Sequence, residues 1–138
     1  MKRLSLCLMC MTLCLALTTI FVGTVRSQPM TSLQVVEGNI CTDVVDRNCE
    51  NANTRFYATV ERLYCFTKIM GVEDDTYVTH VWSFGDIERA RVKLGVRSPT
   101  WRTFSSKEIQ PHEIGDWSVD VVGADGQVLT TIPFTIQP

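Results

Sequence analysis

Six basic residues, Arg89, Arg91, Lys93, Arg97, Arg102 and Lys107, stand between positions 89 and 107 with no acid among them, whereas residues 108–138 hold five acids and no base. A segregated run of this kind suits an anionic partner such as a lipid headgroup, an acidic glycan or an acidic protein segment. Trp101 lies inside the run, and Trp82, Trp117 and Phe104 bring the aromatic count to what a sugar-stacking or peptide-binding platform needs. The opposing reading is structural. Arg89, Arg91 and Lys93 then form surface ion pairs with Asp116, Asp120 and Glu108, each contributing at most about 1 kcal/mol, and Trp82 and Trp117 fill a core.

Catalytic signatures are absent from the sequence. His80 and His112 are the only histidines, and there is no GxSxG, no HExxH and no glycine-rich phosphate loop. His80 shares a strand face with Trp82 and reads as a hydrogen-bonded core residue. A metal held by Cys41, Cys65 and His80 lacks CxxC or HxH spacing, so no metal, no cofactor and no enzymatic activity are expected.

The elements that must position these residues alternate with period two rather than 3.6. Residues 40–45 form a short strand, and residues 46–53, rich in Asp and Asn, form a loop. Residues 56–69 read as one long strand with apolar groups on both faces, as in the middle of a sandwich. GVEDD breaks the pattern at 71–75. Strands at 77–84 and 87–96 are joined by a Gly85-Asp86 turn, the second with Ala90, Val92, Leu94 and Val96 inward. Residues 97–111, bracketed by Pro99 and Pro111, read as a connection. In it TWRTFSSKEI crosses from one sheet to the other. Trp101 and Phe104 plug the end of the core, and Thr103, Ser105 and Ser106 satisfy backbone groups that no ladder reaches. Strands at 117–122 and 127–136 follow, and Pro133 places the last at a sheet edge. The expectation is an all-β fold, an antiparallel immunoglobulin-like sandwich of about seven strands, following a signal or anchor helix.

That helix is read from Lys2 and Arg3 followed by an uncharged run from Leu4 to Val25, the layout of a secretory signal or of a membrane anchor. The expected organisation is residues 1–27 as signal peptide or anchor, 28–38 as a polar lead-in and 39–138 as the β-sandwich domain. The domain is expected outside the cytoplasm, periplasmic or secreted, with membrane contact only through residues 1–27 if they stay attached. Removing Lys2, Arg3 and Arg26 from the 13 basic residues leaves 10 against 15 acids, a net charge of −5, which argues against nucleic acid as a partner. Of the cysteines beyond residue 27, Cys41 and Cys65 lie in apolar strand-like runs and are the favoured disulfide pair. Cys49, in DRNCENAN, is then left as a free thiol or an intermolecular bridge.

The stretches ICTDVVDR, RLYCFTKI, THVW, RARVKLGVRSPTWRTFSSKEI, GDWSVDVV, DGQVL and the closing FTI, in that order, resemble the bacterial domain-of-unknown-function family numbered 2914. WRT followed by SSK is the most specific part. The resemblance, over roughly residues 39–137, implies a small extracytoplasmic or membrane-tethered β domain with no established activity. Cys41 and Cys65 fit its pattern and Cys49 is an addition to it. Phe104 and Ser83-Phe84 stand where the family commonly has further aromatics. The expected role is a non-catalytic interaction or accessory module of the bacterial envelope with a protein partner. The alternative is an anionic-ligand or glycan-binding module using Arg89, Arg91, Lys93, Arg97, Trp101, Arg102 and Lys107.

Overall fold

The structure, a computed structural model, describes Gly23 and residues 33–138. Apart from Gly23, the expected signal or anchor at 1–27 lies outside the described residues. Ten strands follow in chain order: β1 (Gln34–Cys41), β2 (Asp43–Val45), β3 (Asn48–Glu50), β4 (Arg55–Tyr57), β5 (Arg62–Met70), β6 (Thr76–Phe84), β7 (Ile87–Val96), β8 (Thr100–Glu108), β9 (Gly115–Gly123) and β10 (Val128–Gln137). Seven of them are eight residues or longer, and these build the sandwich. One sheet has the order β1-β5-β8 and the other β4-β10-β9-β6-β7, while β2 and β3 form a separate hairpin. Every pair is antiparallel except β4 with β10.

The long strand expected at 56–69 is three elements, the end of β4, a 3₁₀ turn and β5. Glu61 takes φ +62° between the 3₁₀ turn Ala58–Val60 and β5, a left-handed conformation that breaks a ladder. The short strand expected at 40–45 is divided too, between the end of β1 and β2, and the lead-in already becomes β1 at Gln34. The expected connection at 97–111 is mostly β8, which pairs with β5 along its whole length, from Arg62 opposite Glu108 to Met70 opposite Thr100. The last strand, expected at an edge, lies between β9 and β4. Because β4 pairs only with Thr135, Ile136 and Gln137, the flank of β10 beside Pro133 has no strand on it, and the missing N–H is tolerated there.

The inner faces of the sheets make a layered core. At one end Ile40, Phe56, Leu63, Cys65, Trp82, Trp117, Val119, Phe134 and Ile136 are buried together, with the Phe134 ring edge-on to Trp82 at 6.1 Å and stacked on Trp117 at 5.9 Å. At the other end Leu33, Ile69, Val72, Val78, Val96 and Val121 form a second cluster. Along β5 the inward series Leu63, Cys65, Thr67, Ile69 passes from one cluster to the other through Thr67. Along β6 the series Val78, His80, Trp82 does so through His80. The layer between the clusters is therefore polar.

Candidate functional site

That polar layer joins the sheets. The Trp82 indole N–H donates to Ser105 Oγ at 3.0 Å, and Ser105 Oγ lies 2.7 Å from His80 Nδ1. His80 Nε2 lies 3.1 Å from Thr67 Oγ1, whose hydroxyl donates to the Thr103 carbonyl at 3.5 Å. A neutral His80 protonated at Nε2 satisfies all of these groups: Ser105 donates to Nδ1 and Nε2–H donates to Thr67. His80 is 0% exposed, and burial pushes its pKa down to about 4. Cys65, also fully buried, has its thiol pKa pushed up by the same desolvation. Neither group meets solvent, so this layer fastens the sandwich and offers no surface to a ligand.

The disulfide joins Cys41 to Cys49, with their Cα atoms 5.7 Å apart, and among the described residues Cys65 is the free cysteine. The pairing of Cys41 with Cys65 expected from the sequence is excluded by register. Cys65 faces Ile40 across the β1/β5 ladder and Cys41 faces Tyr64, so the two cysteines point to opposite sides of the sheet. Cys65 enters the core. Cys41 points outward, where β3 brings Cys49 to it. Two strands of three residues are too short to hold a hairpin alone. The disulfide and the hydrogen bond from Thr42 N to Glu50 O at 3.1 Å fasten it to β1, and it packs against β5 as well.

The hairpin turns at Asp46-Arg47, between the paired Val45 and Asn48. Both turn residues are left-handed, with φ +50° and +61°, as a two-residue turn matched to strand twist requires. This conformation favours glycine or asparagine, yet the second position holds an arginine.

Arg47 borders a groove of about 310 Å³ on the outer side of the three-stranded sheet. Its floor and far wall are Phe66 of β5 and Thr100, Trp101, Arg102, Thr103 and Phe104 of β8, and Gly95 and Ser98 close the end. No acid lines it. Among the described residues neither Arg47 nor Arg102 has an ion pair for its guanidinium. Phe104 is 46% exposed, and the edge contact of its ring with Tyr64 at 6.1 Å steadies it. Phe104 therefore does not plug the core as expected. Alternation along β8 turns Trp101, Thr103 and Ser105 inward and Arg102, Phe104 and Ser106 outward.

The remaining bases of the expected set go elsewhere. Trp82 pairs with Ala90 and Ser83 with Glu88, which leaves Arg89 as a bulge residue, and a bulge re-aims its side chain. The Arg89 guanidinium lies 5.7 Å from the Phe84 ring centre and 2.9 Å from a carboxylate oxygen of Glu113, itself only 4% exposed. Arg91 pairs with Glu88 at 2.6 Å. Lys93 sits 3.9 Å over the Tyr77 ring, and Lys107 donates to the Glu108 carbonyl at 2.6 Å. Arg97 borders a separate hollow with Glu73, Asp74 and Asp75. The expected partners are taken otherwise: Asp116 and Asp120 accept from Thr135 and Thr131 at 3.2 and 2.6 Å, and Glu108 pairs with Arg62. Of the seven candidate residues only Trp101 and Arg102 meet at the groove. Arg47 was missed because its position depends on the disulfide register, although the turn signal Asp46 before Asn48 marks where it sits.

Residues 75–136 match the family described as Protein of unknown function (DUF2914), so the resemblance read from the sequence holds over that part of the chain. The match covers β6, β7, β8, β9, nearly all of β10, and the WRT and SSK blocks, but neither Cys41 nor Cys65. No curated protein matches the sequence. Among solved structures, the crystal structure of endonuclease/exonuclease/phosphatase from Beutenbergia cavernae DSM 12333 is similar at 17% identity and a TM-score of 0.34. The similarity covers 75% of this chain and 35% of that chain.

Proposed function

Proceeding from a chain whose residues 75–136 carry the pattern of a family of unknown function, we propose that it is a non-catalytic binding module working outside the cytoplasm. Its binding site is the groove between the β2–β3 hairpin and β8. The observation that carries this reading is the pair Arg47 and Arg102, two guanidinium groups without acidic partners among the described residues, on either side of a groove that no acid lines. An unpaired guanidinium beside an aromatic ring is suited to a carboxylate or phosphate on an organic body.

The groove's size favours a small anionic ligand or the end of a glycan over the protein partner expected from the sequence. At about 310 Å³ it falls at the lower bound of ligand sites, roughly 300 to 1,000 Å³. A stable protein interface buries about 800 Å² on each side. The sealed position of His80 and the bridging of Cys49 to Cys41 support a non-catalytic role, since neither side chain is left as an accessible base or nucleophile. The disulfide supports an oxidising surrounding, in line with the charged-then-apolar layout of residues 2–25.

Passage of the purified protein over an immobilised anionic polysaccharide tests the reading. The wild type and Arg91→Glu are expected to be retained at low salt and released as salt rises, and Arg102→Glu is expected to flow through. Equal retention of all three, or of none, contradicts it.

A further inference from the structure

We propose that the groove takes a carboxylate-bearing sugar, a uronic acid unit of a glycan, with Arg102 and Arg47 on the carboxylate and Phe104 beneath the ring. This rests on the binding reading above and names its ligand. Arg102 and Phe104 are two residues apart on β8, so their side chains leave the same face of the sheet about 7 Å apart. That is close to the span from a sugar carboxylate to the far side of its ring. The charge and the aromatic surface are thus offered to a single ligand rather than to two.

Two further features fit a sugar better than a bare anion, and a third marks Arg47 as a side chain with a role. Phe104 remains 46% exposed although it sits on a sheet whose next outward aromatic, Phe66, is 2% exposed. An aromatic ring held edge-on by Tyr64 and open to solvent gives a sugar's C–H groups an apolar surface. Thr100 and Ser98 border the same groove. The Ser98 hydroxyl donates to the Thr100 carbonyl at 2.7 Å, so its oxygen is directed to accept from a ligand hydroxyl. Finally, Arg47 holds a left-handed turn position at +61° where glycine is easier. Strain at such a position points to a role for the side chain.

Calorimetric titration of the purified protein with glucuronate, glucose and inorganic phosphate tests the proposal. Glucuronate is expected to bind about tenfold or more tightly than either of the others, the scale of one charge-assisted hydrogen bond. Arg102→Gln is expected to erase the advantage over glucose, and Phe104→Ala the advantage over phosphate. Because Phe104 is half exposed, Phe104→Ala leaves the core intact, which an unchanged thermal transition verifies. Phosphate binding as tightly as glucuronate and indifferent to Phe104→Ala overturns the sugar assignment and leaves the anion-binding reading standing. Retention on the polysaccharide column with no saturable binding of glucuronate also overturns it. Failure on the column as well removes both readings.

Discussion

At the scale of single residues, the side chains that matter divide into a sealed set and an exposed one. His80 is the centre of the sealed set. Its pKa is lowered to about 4 by burial, against about 6.5 in an unfolded chain. The unfolded state therefore binds more protons between these values, so stability is complete above pH 6.5 and falls as pH drops towards 4. The loss levels off near roughly 3 kcal/mol. Urea unfolding at a series of pH values is expected to follow that curve, and His80→Gln is expected to flatten it. Ser105→Ala strands both the Trp82 N–H and His80 Nδ1 in the core, and a loss of roughly 1 to 3 kcal/mol is expected in the same assay at pH 7. In the exposed set, Arg47→Gly relieves a left-handed non-glycine residue. It is expected to hold or raise stability by up to about 1 kcal/mol while weakening retention on an anionic polysaccharide. His80 as a core residue was legible from its parity with Trp82. Its partners Thr67 and Ser105 were not, since contacts across two sheets leave no local pattern.

At the scale of elements, β6, β7 and β9 were legible because their apolar residues alternate. β8 was not, and the reason lies in what its inward face meets. Thr103 and Ser105 point into the polar layer around His80, so the strand has hydroxyls where a pattern reader looks for apolar groups, and Pro99 and Pro111 frame it like a loop. The hairpin was hidden in the same way by its Asp and Asn content. The cysteine pairing followed apolar context to Cys65, whereas the sheet's pleat decides it. Two outcomes are expected here. Alkylation of the native, non-reduced protein is expected to leave Cys65 unmodified and to reach it only after denaturation without reductant, as read by peptide mass mapping of the Cys65 segment. Cys49→Ser opens a short loop and is expected to cost about 2 to 3 kcal/mol on the chain-entropy account. It also frees Arg47 from the groove, so binding is expected to weaken even at temperatures where the variant remains folded.

At the scale of the whole molecule, the sandwich presents two unlike surfaces. On the five-stranded sheet the bases of β7 are neutralised or laid over aromatic rings, and the outward-facing Val81, opposite Arg91, is only 7% exposed. On the three-stranded sheet Arg47 and Arg102 stay unpaired among the described residues, in a domain whose overall balance is acidic. The all-β sandwich was legible in alternation, and residues that could make a cationic, aromatic surface were legible in composition. Which sheet bears that surface was not, because it depends on the Arg89 bulge, the β8 pairing and the disulfide together. Backbone amide NMR shifts of the protein, recorded as glucuronate is added, test the central claim most directly. Perturbations confined to Arg47, Ser98 and the amides of Thr100 to Phe104 are the predicted result. Shifts centred on Arg89, Arg91 and Lys93, or none at saturating ligand, would contradict it.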